Sequence, residues 1–353
     1  MPRLLFVPVS GAFGMGEYAR CLNLALAYAA HRADALIHFV VSAQAPYAQS
    51  LPFECTVLPS SPTFHSREVS ELIGRLQPDI VVFDNAGRSA QLAAARRAGA
   101  RIVFISARTR QRRKAFRLSW MRMLDEHWIA YPEFIAGPVA GLERIKIAWL
   151  KRPRIRFLDC LLPPLGAPAE AALFARTGAA PGHYVLVVPG GGTGHPGARD
   201  AVGLFLEAAR EFAVRGRLTL LVTPARGGEL PQAPLPAGLI CLDLLPLAEL
   251  VALIRSAKAM LTNGGGTLLQ AIACHTPTIS VPIAADQPAR IAKCIAHGLT
   301  RTVPLNTADM VRAMSSLLDD EPALTRMRAA ARSLSLQDAT RTALGALDGL
   351  LQR

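Results

Sequence analysis

The residues of this chain best suited to chemistry by type and spacing lie between Ala257 and Gln287, AKAMLTNGGGTLLQAIACHTPTISVPIAADQ. Ala259 to Thr262 reads as a buried strand, Gly264, Gly265 and Gly266 as a glycine turn, and Thr267 as the opening of a helix. Backbone N–H groups and the positive end of a helix dipole converge at such a turn, which makes it a seat for a phosphate. A second strand, Thr278 to Val281, brings Asp286 and Gln287 to the same sheet edge. Two groups that accept and donate hydrogen bonds beside a phosphate seat suit a nucleotide sugar. Asn263 can cap the loop or reach a phosphate. Thr267 and Gln270 also spell a T-x-x-Q capping box, a purely structural use of both.

A second glycine run follows Tyr184 to Pro189 (YVLVVP). Gly191, Gly192 and Thr193 offer backbone approach to an anion, against the plain alternative of a tight turn after a strand. His195, just beyond, can meet a diphosphate or be an ordinary surface histidine. Near the N-terminus, Arg3 to Val9 reads as a buried strand, Ser10 to Gly16 as a small-residue loop, and Glu17 to Ala30 as a helix apolar on most faces.

The elements that must position these groups alternate. Strands at 35–41, 56–58, 79–83 and 101–106 are separated by helices at 66–76 and 91–99. A second series runs through strands at 184–189, 218–222 and 239–242 and helices at 198–215 and 247–256. Such alternation predicts an α/β protein built on parallel sheets covered on both faces. Ligands on these sheets bind at the carboxyl ends of strands, so Gly14 to Glu17, Asp84 to Arg88 and Ser106 to Arg110 form one rim. Gly14, Gly16, Arg20, Asp84 and Arg88 are the candidates to address an acceptor there; Asp84 alternatively caps the helix near Gln91.

At 353 residues the chain exceeds what one core usually supports. A Pro-, Gly- and Ala-rich stretch marks the break. The expected division is residues 1–165, a linker at 166–182, residues 183–335, and a C-terminal helix at 336–353 that returns to the first domain.

No run reaches the ~18 apolar residues of a membrane span, and the apolar N-terminal run is too short for a secretory signal, so a cytoplasmic location is expected. Six cysteines without a CxxC pair predict reduced packing thiols. The eight histidines show no metal-ligand spacing, and no metal or resident cofactor is expected. Residues 101–156 hold 14 Lys and Arg against 4 Asp and Glu, so +10 of the +13 net charge lies there, with Trp120, Trp128 and Trp149. Cations beside amphipathic rings suit a peripheral contact with anionic lipid; a solvated face over buried tryptophans is the alternative. No nucleic-acid-binding signature accompanies the charge.

The segment NGGGTLLQAIACHTPTISVPIAADQPARIAKCIAHG resembles the donor-binding motif of GT-B glycosyltransferases, especially the UDP-glycosyltransferases and the peptidoglycan GlcNAc transferase group. GMGEYARCLNLALA resembles the GxGHxxRxLxLA loop and helix of the same superfamily, including the sugar-nucleotide hydrolases of pseudaminic acid synthesis. The resemblance implies two Rossmann-like doubly wound domains facing across a cleft. It also implies metal-independent, inverting transfer of a sugar from a nucleotide diphosphate, UDP by resemblance, to an acceptor hydroxyl. Gly264, Gly265, Gly266 and Thr267 would then face the diphosphate, and Asp286 with Gln287 the sugar.

Two positions depart from the pattern. Glu17 stands where the superfamily has its histidine, so it is the candidate base, or else a first-turn partner of the helix dipole. Gln270 stands where a ribose-binding Glu is usual and offers only a neutral acceptor. A lipid-linked or envelope glycan is the expected acceptor. A nucleotide-sugar hydrolase and a non-catalytic sugar-nucleotide-binding subunit are the alternatives.

Overall fold

Short apolar runs become strands buried on both faces. Residues 1–11, 16–45, 48–190, 201–223 and 234–352 are described in this computed structural model. The chain divides into two compact units, Met1–Leu161 with Asp338–Arg353, and Leu162–Gln337.

Unit 1 begins β1 (Arg3–Pro8), α1 (Gly16–His31), β2 (Leu36–Ser42), β3 (Glu54–Leu58), α2 (Ser66–Leu76), β4 (Ile80–Asp84) and α3 (Ser89–Arg97). It continues β5 (Arg101–Ser106), α4 (Thr109–Ala115), α5 (Leu118–Met121), β6 (Glu126–Ile129), α6 (Glu133–Ala136), α7 (Gly141–Leu150) and β7 (Arg154–Phe157). Among the described residues its sheet has seven parallel strands in the order β3-β2-β1-β4-β5-β6-β7. Side chains alternate between two cores. Phe6, Ile80 and Val82 meet α1 on one face, and Val7, Val81 and Phe83 meet α2 and α3 on the other.

Unit 2 contains α8 (Ala167–Thr177), β8 (Val185–Val188), α9 (Ala201–Val214), β9 (Thr219–Val222), β10 (Leu239–Leu242), α10 (Leu247–Ser256) and β11 (Ala259–Asn263). It ends α11 (Gly266–Ala273), β12 (Thr278–Val281), α12 (Gln287–Ala296), β13 (Arg301–Thr302), α13 (Thr307–Leu318) and α14 (Glu321–Ser333). Its six parallel strands run β10-β9-β8-β11-β12-β13 among the described residues. In both sheets the strand order therefore reverses beside the first strand, between β1 and β4 and between β8 and β11. A doubly wound sheet opens its ligand crevice at that reversal.

The last helix, α15 (Ala339–Leu351), belongs to unit 1. Ala343, Leu347 and Leu350 pack in the core of α1, and Tyr28 donates to Asp348 Oδ1 at 3.1 Å. Within 166–182, expected as a linker, α8 lies in unit 2 and buries Leu173.

Of the two readings of the basic region, buried tryptophans hold for Trp120 and Trp128. Trp120 and Trp128 are core residues, with indole N–H groups donating to Ser89 Oγ and Glu126 Oε2. Lys114 lies 4.1 Å over the Trp120 ring. Burial, with Arg88, Arg117 and Arg110 nearby, lowers its ammonium to about 8. Arg112 donates to Glu143 and to the carbonyls of Ala136, Gly137 and Pro138. These cations brace the fold, and of the three tryptophans only Trp149 is exposed.

Among the described residues no helix is long and apolar enough to cross a membrane, and no cluster of three or more His, Cys, Asp and Glu is placed to hold a metal ion.

Candidate active site

In unit 1 the reversal point is finished by charged side chains. Glu17 and Arg20, three residues apart on the first turns of α1, share one face of the helix. Arg20 donates Nε and Nη2 to the two oxygens of Asp84, both at 2.7 Å. Asp84 ends β4 and is fully buried. Burial raises its carboxyl to about 6, while the guanidinium pulls it down. At neutral pH the pair is ionic, and the Asp84 charge holds Arg20 protonated. The fork engages both carboxylate oxygens, so the buried Asp84 carboxylate faces Arg20 and not solvent. Nor does it cap α3, whose start is closed by Gln91 Oε1 accepting the Arg88 N–H at 2.9 Å. Arg88 is exposed and donates Nε to the Thr63 carbonyl.

Glu17 is nearly buried, and its Oε1 accepts from Asn85 Nδ2 at 2.9 Å and Arg108 Nη2 at 3.0 Å. Asn85 sits at φ 50°, a left-handed conformation that Asn tolerates better than most residues. It also accepts the Ala107 N–H on Oδ1, so it ties the end of β4 to the loop after β5 and aims its amide at Glu17. Asn85 and Arg108 are functional neighbours that local sequence could not assign, because they lie 68 and 91 residues from Glu17. Gly16 opens α1 with open space where a Cβ would lie. Gly14 lies outside the described residues.

In unit 2 the reversal point is finished by backbone. Asn263, last in β11, donates Nδ2 to the Pro189 carbonyl at 2.8 Å and accepts the Gly265 N–H on Oδ1 at 2.8 Å. It caps the loop rather than facing a phosphate. Gly190 shows why this needs glycine: its φ is 104°, and a Cβ there would fall 2.0 Å from Asn263 Nδ2. Gly264 is the tightest point of the turn, with a hypothetical Cβ 2.6 Å from Ile291 Cδ1 and 2.8 Å from Gln287 Cβ.

Helix α12 pins that turn. Gln287 Oε1 accepts the N–H of Gly264 at 3.2 Å and of Ile283 at 2.8 Å. Arg290 donates Nη1 to the Gly264 carbonyl at 2.5 Å and Nη2 to Asp286 at 2.7 Å. The N–H of Gly264, a residue expected at the diphosphate, and the Oε1 of Gln287, expected with Asp286 at the sugar, are hydrogen-bonded inside the protein. The Gly265 N–H is engaged as well. The capping box is corrected: α11 begins at Gly266 with Gly265 as N-cap, which places Thr267 inside the first turn. No side chain caps α11. Its first-turn N–H groups, from Gly266 and Thr267 onward, remain for an anion. Gln270 is half-buried, and Asp286 stands exposed at the N-terminus of α12 with 68% of its side chain accessible. Gly191, Gly192, Thr193 and His195 lie outside the described residues.

The fold has solved counterparts. The chain matches CalG4, the calicheamicin glycosyltransferase, with a TM-score of 0.66 and 19% identity over 100% of this chain and 99% of that one. It matches the spinosyn forosaminyltransferase SpnP at 0.68 and 14%, over all of both chains. A third match, at 0.65 and 14% over all of both chains, is UGT2 of Phytolacca americana, solved with UDP-2-fluoro-glucose and pterostilbene. The fold is GT-B.

In sequence, 85 residues are 34% identical to the zeaxanthin glucosyltransferase of Pseudescherichia vulneris, covering 23% of this chain and 21% of that enzyme. The match thus spans about a fifth of that relative's length. No family model matches the chain. Within the GT-B frame the two reversal points divide the chemistry. One presents a carboxylate held by two donors, and the other an uncapped helix N-terminus on a rigid glycine turn.

Proposed function

We propose that this protein is an inverting, metal-independent glycosyltransferase that moves a sugar from UDP to an acceptor hydroxyl. The observation that carries the reading is the β11–α11 turn. Its glycines are fixed by Asn263, Gln287 and Arg290, and its first-turn N–H groups have no side-chain cap. Preorganised N–H groups and a helix dipole stabilise a leaving diphosphate where a cation serves in other enzymes. Gly266 and Thr267 receive the diphosphate, together with the Gly191–Thr193 run and His195. Gln270 takes a ribose hydroxyl, and Asp286 accepts from hydroxyls of the sugar. The likeness to UGT2, solved with a UDP-sugar analogue, supports the choice of nucleotide.

In unit 1, Glu17 takes the acceptor's proton. The hydroxyl oxygen bonds to the anomeric carbon as the carbon–oxygen bond to UDP breaks, in a single displacement that inverts the anomeric centre. The two donors on Oε1 orient the carboxylate and leave Oε2 to take the proton. The acceptor is a lipid-linked or envelope glycan, at the inner face of the cytoplasmic membrane.

A thermal-shift screen across nucleoside diphosphates and their sugars tests the donor, because a ligand that binds only the folded state raises the melting temperature. The expected result is a shift with UDP and a UDP-sugar; the absence of a shift with any nucleotide removes the reading. Rapid release of free sugar from a UDP-sugar without acceptor would make the enzyme a hydrolase.

A further inference from the structure

Helix α7 is built inside out. Residues Glu143, Lys146, Ile147 and Leu150 face the protein at i, i+3, i+4 and i+7, where a surface helix normally places its apolar stripe. That inner face is fastened by polar groups. Glu143 takes the Arg112 fork, with Nη2 to Oε2 at 2.7 Å, and Lys146 donates to the Phe116 carbonyl at 3.0 Å. Leu142, Ile145 and Trp149 point the other way, 71%, 64% and 65% exposed. At 3.6 residues per turn they fall within about 60° of arc. No residue of α7 is buried. Three large apolar groups aligned on one exposed helix form a patch, which marks a contact surface, whereas single exposed hydrophobics do not.

An open groove of about 670 Å³ runs between α7 and the edge strand β7, lined by Arg144, Lys151, Arg154 and Arg156 along with Ile147 and Ile155. Arg112, Arg152 and Arg156 in this region have carboxylate partners, Glu143, Asp125 and Glu126. Arg144, Lys151 and Arg154 have no acidic partner among the described residues. Three unneutralised cations therefore flank an apolar stripe that carries the exposed tryptophan.

We infer that α7 and the groove beside it form a docking surface for an anionic lipid bilayer. Leu142, Ile145 and Trp149 enter the boundary between headgroups and acyl chains, the depth at which amphipathic helices and Trp rings settle. Arg144, Lys151 and Arg154 take headgroup phosphates in the groove. Charge complementarity selects this occupant over a second copy of the chain, whose same patch would bring the same three cations against each other. The inference does not depend on the transfer reaction, and the surface is α7 rather than the tethered cations of α4.

The test is co-sedimentation of the full chain with vesicles of phosphatidylcholine alone and of phosphatidylcholine mixed equally with phosphatidylglycerol. Three triple variants accompany it: Leu142→Ser/Ile145→Ser/Trp149→Ser, Arg144→Gln/Lys151→Gln/Arg154→Gln, and the charge-matched Arg67→Gln/Arg97→Gln/Arg341→Gln. All nine side chains lie at or near the surface, and melting temperatures verify that each variant folds. The expected result is binding to the phosphatidylglycerol vesicles that falls about a hundredfold in the groove variant, since each cation near the surface contributes about one factor of five. The apolar variant also loses binding, and the charge-matched variant retains it within about threefold. In the wild type, vesicles shift the Trp149 emission to the blue. Absence of wild-type binding, equal loss in the charge-matched variant, or unchanged binding in both α7 variants overturns the inference. So does a concentration-dependent dimer that the apolar variant abolishes, which would make the occupant a second copy.

Discussion

The two sheets wind in the same strand order, yet their reversal points are finished with different material. In unit 1 the end of β4 carries Asp84 and Asn85, and both are engaged by side chains of α1. In unit 2 the end of β11 carries Asn263 and Gly264, and both are engaged through backbone groups. A rim of side chains can hold and move a proton; a rim of backbone N–H groups can only bind charge, but binds it without reorganising. The same topology thus carries a hydrogen-bonded carboxylate in one unit and an uncapped helix N-terminus in the other.

The sharpest way to break this comparison is Glu17→Gln. It preserves size and hydrogen bonding but removes the proton acceptor, so sugar transfer should fall about a thousandfold, while the UDP-induced thermal shift of unit 2 stays unchanged. Full turnover in the variant would reduce Glu17 to a partner of the α1 dipole and leave unit 1 without a base.

Next in size is Asp84→Asn. Asn keeps one acceptor but turns an NH2 donor toward the Arg20 fork, and leaving a buried, charged donor without its acceptor costs about 3 kcal/mol. Denaturant unfolding monitored through Trp120 and Trp128 should show that loss in unit 1. A loss of activity without a loss of stability would instead return Asp84 to the acceptor.

Gly264→Ala is the matching change in unit 2. The new methyl meets Ile291 and the Cβ of Gln287, and forcing it into a packed turn costs about 2 kcal/mol. UDP binding should weaken about tenfold, because the turn that orients α11 must shift. If UDP affinity is unchanged, the anion seat does not depend on the stapled turn.

How much of this was legible in the sequence follows from how local each requirement is. The glycine turn, the helix after it and the strands 259–262 and 278–281 were readable, because buried parallel strands and close backbone approach restrict residue choice within a few positions. The use of Gly264 was not: its closest neighbours lie on α12, and the glycine looked like a phosphate contact when it is also a packing contact. Gln287 is similar: it reads as a polar residue at a sheet edge, and its carbonyl oxygen also accepts from two backbone N–H groups. The rim rule located Asp84 but could not foresee its partner 64 residues away. β6 and β7 escaped because Glu126 and His127 place polar groups inside the sheet and β7 reads RIRF, a pattern that resembles a solvated face.

His127 gives the smallest effect and separates the units by pH. Burial, reinforced by the positive charge of Arg112, lowers its imidazole to about 3, against 6.5 for an exposed one, and its Nε2 lies 2.8 Å from Ser106 Oγ. The folded state therefore holds His127 neutral where the unfolded chain takes up a proton. Its contribution to stability is complete above pH 6.5 and is lost as the pH falls toward 3, at about 1.4 kcal/mol per pH unit. Asp84 acts with the opposite sign between its ordinary value and about 6, since its folded-state carboxyl protonates first. The absolute acid curve mixes the two. The difference between the wild type and His127→Gln isolates the histidine, because Asp84 is common to both. That difference should be flat above pH 6.5 and should move steadily against the wild type below it. A flat difference from pH 7 down to pH 4 would show that His127 accepts its proton in the folded state, and the acid sensitivity of unit 1 would then have to come from elsewhere in the sheet.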